Sequence, residues 1–282
     1  MVKQKNPWEA PGWHSIGREA SLVRHLIGSG VTSLGKANYA DKEGEYYTAF
    51  FGLSIGLERL AKLILVADFT ILNDGQMPAE EVVRNFGHKL VLLLDTVNEI
   101  SINHNLVLEY TRPNSEISNV IVECLDAFAD ASRGRYANFA SLGDPNLGPE
   151  EPIRKWWGDV VELILAEHYY GKPVQERVEG NATIIDSLMS SVSTVFYFDE
   201  EGDAIKDVYS ASVRTGQTEI VQCFSRFYAL MVVRWLSDVF SQLSQKACGE
   251  HNVEAFFGVY EYFNTYRVAD NFLKTRKIWP LK

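Results

Sequence analysis

Residues 49–72, AFFGLSIGLERLAKLILVADFTIL, constrain this chain more than any other stretch. They are apolar around most of a helical circumference, and such a helix has to be buried on nearly every side. The segment reads as the central pillar of a helical core, beginning near residue 41. Glu58, Arg59, Lys62 and Asp68 divide it into runs too short to cross a bilayer, so a buried soluble helix is expected and not a membrane span. Gly52-Leu53-Ser54-Ile55-Gly56 matches the nucleophile elbow of serine hydrolases. An elbow needs a strand before the serine, whereas helical periodicity runs unbroken through this one. The two glycines, four apart, fit the close approach of a second helix instead. Glu58 and Lys62 stand one turn apart, the spacing of an ion pair that makes polar groups tolerable in a helical core.

The remaining punctuation is mostly helical. Ser15 is positioned to cap a helix that Gly28-Ser29-Gly30 ends or bends. Asn73-Asp74-Gly75 is a turn, and Pro78 starts a helix running to about Ile100. Its core stripe is Val83, Phe86, Leu90, Leu93, Leu94 and Val97, with Arg84, His88, Asp95 and Glu99 on the opposite face. Helical spacing recurs from Ile117 to Phe128, with an end near Ser132-Arg133-Gly134. Prolines and glycines crowd residues 143–149, which sets the best boundary between a helical domain at 1–142 and a C-terminal helical region at 150–282, although one continuous domain fits as well. Beyond it, helices are expected from Pro152 to about Tyr170, from Ala182 to Val192 and over 217–246, with a small β-hairpin near 195–209. The fold class is therefore all-α, a multi-helix bundle around the 41–72 pillar.

At 282 residues and 46% hydrophobic content the chain can bury a large core. Its net charge of -10 argues against a polyanion-binding surface over the whole molecule, so any nucleic-acid contact has to be local. Three well-separated cysteines, Cys124, Cys223 and Cys248, fit reduced thiols in a cytoplasm better than a zinc site. The N-terminus has no apolar run after its lysines, as expected of a cytoplasmic protein. No phosphate-binding glycine loop and no Glu-x-x-His pair occurs, and no cofactor is expected. Arg267, Lys274, Arg276, Lys277 and Lys282, interleaved with Tyr266, Phe272 and Trp279, are the one basic stretch with aromatics, either a solvated tail or an arm contacting RNA.

The order of a buried helix with Leu57, Glu58 and Lys62, a helix with Gly87, His88 and Leu90, and an arginine-bearing helix end resembles the HEPN superfamily of helical domains over about residues 40–140. The resemblance implies an RNA-binding or RNA-cleaving protein of a bacterial toxin or antiviral system, metal-independent if catalytic and commonly homodimeric. In such chemistry a histidine moves protons near neutral pH. Arginine stabilises charge on the phosphoryl oxygens through bidentate hydrogen bonds. This chain departs from the family signature: Asn138 stands where a histidine would follow Arg133, with four residues between them. Asparagine cannot act as an acid or base, so the expectation is either a site that binds RNA or nucleotide without cutting it or one whose histidine comes from elsewhere, His88 first. For an active enzyme the candidate catalytic set is His88 for proton transfer, Arg133 and Arg135 as phosphate clamps and Asn138 to orient substrate. Arg18 and His25, with six residues between them, form an alternative match ahead of the pillar. The rival reading is a noncatalytic scaffold whose apolar stripes hold a partner protein.

Overall fold

The computed structural model describes residues 6–135 and 152–281, and the chain in it is an all-α multi-helix bundle with one two-stranded hairpin. Helix α1 spans Pro11–Leu34 and α2 spans Glu43–Leu72. The short α3, Glu80–Asn85, and α4, Leu90–Asn103, precede α5, Glu116–Arg135. After the undescribed stretch come α6, Pro152–Trp156, a π-helical turn at Trp157–Val161, and α7, Glu162–His168. Helix α8 covers Pro173–Met189 and the 42-residue α9 covers Val208–Gly249. Two 3₁₀ segments, Glu254–Phe256 and Val259–Tyr266, and α10, Asp270–Thr275, close the chain.

The pillar is where the apolar pattern puts it. Helix α2 packs against α1, α4, α5 and α9, and Leu53, Leu57, Leu60, Ala61 and Ile64 are fully buried. Its contact with α1 depends on glycine. A Cβ on Gly52 would lie 2.7 Å from the Leu26 carbonyl oxygen and 2.9 Å from Gly30 Cα, and one on Gly30 would lie 2.9 Å from the Leu53 nitrogen. The backbones approach too closely for any side chain at these points. Gly28-Ser29-Gly30 therefore does not end α1, which continues to Leu34, with Gly30 against α2 and Gly28 against Pro280 and Leu281. Helix α1 also begins earlier than Ser15, because Pro11 presets the first helical φ.

The expected helix from Pro78 to Ile100 is two helices. Gly87 adopts φ +77°, a left-handed conformation that stops α3. The freed N–H of Leu90 donates to Asp126 Oδ1 on α5, which caps α4 from across the bundle. Leu90, Leu93, Leu94 and Val97 are buried as the stripe requires. His88 consequently lies in the break and shares no helix face with Arg84 or Asp95.

The hairpin pairs Tyr197 with Ile205 and Phe198 with Ala204. Val208 and Tyr209 belong to α9, whose Asp207 N-cap accepts from the Ser210 N–H at 2.7 Å. Helix α8 starts nine residues before Ala182 because Pro173 provides its first turn. One contiguous apolar core joins α1, α2, α4 and α5 to α6, α7, α9 and the C-terminal segments. The 143–149 boundary lies outside the described residues. Among the described residues no helix is long and apolar enough to cross a membrane.

Part of the basic C-terminal stretch is built into this core, while Arg276 and Lys277 are exposed and Lys282 lies outside the described residues. Arg267 pairs with buried Asp238 at 3.0 Å, Lys274 sits 4.5 Å from the Phe227 ring centroid, and Tyr266 and Trp279 stack, both fully buried. Asp238 also accepts the N–H groups of Glu109 and Tyr110. Arg226 and Arg234 of α9 donate to the carbonyls of Lys274 and Val268. These contacts clamp residues 267–274 to α9.

Candidate functional site

Helix α2 has one thin open strip. Phe51, Ile55, Glu58 and Lys62 recur at spacings of four, three and four and so share a face. Phe51 and Ile55 are exposed, while the side chains of Glu58 and Lys62 are 15% and 17% accessible. Lys62 Nζ donates to Glu58 Oε1 at 2.8 Å, so the one-turn spacing is indeed an ion pair, placed at the edge of the core. The break at Gly87 lowers His88 onto this pair. Its Nδ1 lies 2.8 Å from Glu58 Oε1 and 3.2 Å from Lys62 Nζ, while more than half of the side chain faces solvent.

Burial pushes the Glu58 carboxyl up, but hydrogen bonds from Lys62 and His88, helped by their charges, outweigh it and hold the group below the ordinary carboxylate value. An ionised Glu58 favours the His88 tautomer that carries its proton on Nδ1. Nε2, which has no hydrogen-bond partner among the described residues, carries the lone pair in that tautomer. A carboxylate that fixes the tautomer and orientation of a histidine is a recurrent device of proton-transfer sites.

The α2 strip is flanked by α5. Phe128 of α5 meets Phe51 edge to face with centroids 4.9 Å apart, and Asp126 bonds the N–H of Leu90, two residues after His88. Helix α5 then continues nine residues past Asp126 to Arg135. At 1.5 Å per residue the backbones of Arg133 and Arg135 are about 10 Å and 14 Å further along its axis. The side chains of Arg133 and Arg135, and all of Asn138, lie outside the described residues. The alternative pair, Arg18 and His25, sits on exposed positions two turns apart in α1. Among the described residues no group of three or more histidine, cysteine, aspartate or glutamate side chains is placed to hold a metal.

A second polar cluster had only a weak sequence signal. Arg214 of α9 lies 3.7 Å from the Trp157 ring centroid and donates its Nε to Glu200 Oε2 at 3.0 Å. Glu200, whose side chain is fully buried, accepts from Tyr46 OH at 3.4 Å, and the same hydroxyl accepts from Trp157 Nε1 at 3.1 Å. Burial and the Glu200 charge push the Tyr46 phenol well above its ordinary value, and burial raises Glu200 despite Arg214. Trp157 opens the π-helical turn, a rare distortion that here seats the indole over α2. The acidic run Asp199-Glu200-Glu201 in a hairpin turn was visible in the sequence, but its arginine partner, fourteen residues on, was not. Glu167-His168-Tyr169-Tyr170 is a helix end, with His168 stacked on Phe224 and Tyr169 buried.

No protein-family model matches the chain, and neither a curated protein nor a solved structure matches it.

Proposed function

We propose that this chain is a HEPN-like helical protein that binds or cleaves RNA, metal-independent if catalytic, in a bacterial toxin or antiviral setting. The observation that carries the reading is the Glu58–His88 pair: a carboxylate-oriented histidine whose Nε2 has no hydrogen-bond partner among the described residues, on an open strip of the central helix. Exposed Phe51 supplies an aromatic face on which a base can stack. Helix α5 leads from this strip toward Arg133 and Arg135, the phosphate clamps of the proposal, with Asn138 orienting substrate. His88 would take the proton of an attacking 2'-hydroxyl while the arginines meet the charge on phosphorus.

The test uses the full chain with mixed RNA in chelator, reading both retention of RNA and products ending in a 2',3'-cyclic phosphate. Cleavage lost in both His88→Ala and Arg135→Ala supports the enzyme. Retention that falls in Arg135→Ala without cleavage supports a binding protein. Neither retention nor cleavage with any RNA defeats the proposal.

A second reading, a noncatalytic subunit that holds a partner protein or a second copy, is favoured by the region from α8 to the hairpin. Ile184, Leu188, Val192, Phe196 and Phe198 are each at least 60% exposed within fifteen residues of chain. So dense an apolar surface commonly marks a protein contact. Leu188→Asp with Phe196→Asp would separate it from the first reading, since loss of assembly with RNA retention intact assigns the two surfaces different roles.

A further inference from the structure

A groove of about 690 Å³, remote in sequence from His88, lies between α1 and residues 257–262. That volume is within the range of small-molecule sites. Its floor follows from α1 itself: Gly17 and Ser21, one turn apart, leave a shallow track, and a Cβ on Gly17 would meet nothing within 4 Å. It is lined by His14 and Arg18, a turn apart, by Trp13, whose ring meets that of His14 edge to face at 5.0 Å, and by Arg24, with Phe257 and Tyr262 from the C-terminal segment. The Trp13 indole is held in place by its N–H, which donates to the Phe257 carbonyl at 2.8 Å. Phe257 itself is half exposed.

The charges here are unlike those of the chain as a whole. A protein of net charge -10 lines this groove with two arginines, Arg18 and Arg24, and one acid, Glu261. Arg18 donates its Nε to the His14 carbonyl at 3.3 Å, and its two terminal nitrogens have no hydrogen-bond or ion-pair partner among the described residues. A planar guanidinium with both ends available is suited to bidentate contact with phosphate. Fixed aromatic edges are suited to a base, and Glu261 to ribose hydroxyls. We propose that this groove binds a nucleoside 5'-phosphate, either a free mononucleotide or the 5'-phosphorylated end of an RNA, with Arg18 on the phosphate and Trp13 and Phe257 against the base. The site is independent of His88 and stands whether or not that histidine acts on RNA.

Adenosine 5'-monophosphate titrated into the full chain, read by calorimetry and tryptophan fluorescence, should bind saturably. Arg18→Gln should weaken binding about tenfold or more. Gly17→Leu, which fills the floor where space is open, should abolish it while the thermal transition is kept, and His88→Ala should leave it unchanged. Adenosine and inorganic phosphate should each bind at least tenfold more weakly than the nucleotide. A 5'-phosphorylated tetranucleotide that binds tighter than the mononucleotide assigns the RNA end, and one that binds more weakly assigns the free nucleotide. No saturable binding at millimolar concentration, adenosine or phosphate binding as well as the nucleotide, or a nucleotide affinity untouched by both groove variants would overturn the proposal.

Discussion

Gly52→Ala is the sharpest test of how the pillar is seated. In an open helical site glycine to alanine stabilises by up to about 1 kcal/mol, through helix propensity and a less mobile unfolded chain. At Gly52 the added methyl would lie 2.7 Å from the Leu26 carbonyl oxygen, 2.9 Å from Gly30 Cα and 3.0 Å from the Gly30 nitrogen. All three are backbone atoms, so no rotamer change relieves them. To reach ordinary contact near 3.4 Å the helices must separate by roughly half an ångström, which loosens a densely packed interface and costs about 1–3 kcal/mol beyond the propensity gain. Gly17→Ala, on the partner helix α1 but in open space, is the control. Urea unfolding of the two variants should therefore differ by about 1–4 kcal/mol, with Gly17→Ala the more stable and the slopes unchanged. For a chain of this size that is a melting difference of about 2–16 °C. Equal stability, or a Gly52→Ala protein more stable than the parent, would refute the claim that the two backbones touch.

Two further outcomes follow from the polar clusters. The folded Glu58 titrates below its ordinary 4.5, so the stability it contributes is fully present above pH 4.5 and is lost as pH falls through the folded value. Glu58→Gln should thus flatten the dependence of melting temperature on pH below 4.5, and an unchanged acid limb would contradict the pairing with Lys62 and His88. Arg214→Met leaves the fully buried Glu200 carboxylate without its cation and should destabilise the protein by about 3–5 kcal/mol near neutral pH. Because burial raises the folded Glu200 above 4.5, the penalty should shrink as pH falls and Glu200 takes up a proton. Adding Glu200→Gln should recover a large part of it in denaturant titrations, and a double variant no more stable than Arg214→Met would show that the charge is not what matters.

Much of the architecture was open to sequence reasoning because it rests on local periodicity. The all-round apolar character of 49–72 required a buried helix, and the Gly52/Gly56 spacing suggested helix approach over an elbow. The stripe Ile220, Phe224, Phe227, Met231, Trp235 located most of α9. Periodicity failed where a single backbone choice decided the outcome. The stripe from Val83 to Val97 runs on past Gly87 as though unbroken, since apolar spacing in the sequence carries no mark of the left-handed turn at Gly87. Gly28-Ser29-Gly30 looked like an ending because glycine is a weak helix former. Within α1 it serves close approach instead, of Gly30 to Gly52 and Leu53 and of Gly28 to Pro280 and Leu281.

Sequence alone determined what depends on composition and short-range pattern: an all-helical chain, a central buried helix, a Glu58–Lys62 pair one turn apart, and His88 as a histidine off the core stripe. Only the tertiary structure decided what that histidine meets. The turn at Gly87 and the cap from Asp126 bring His88 to Glu58, thirty residues away, and no local pattern encodes a distance across the bundle. The same holds for the groove of Arg18 and Trp13, which exists because residues 257–262 fold back over α1 more than two hundred residues later in the chain. Hydrogen bonds and burial act between neighbours in space, and those neighbours are fixed by how whole helices pack.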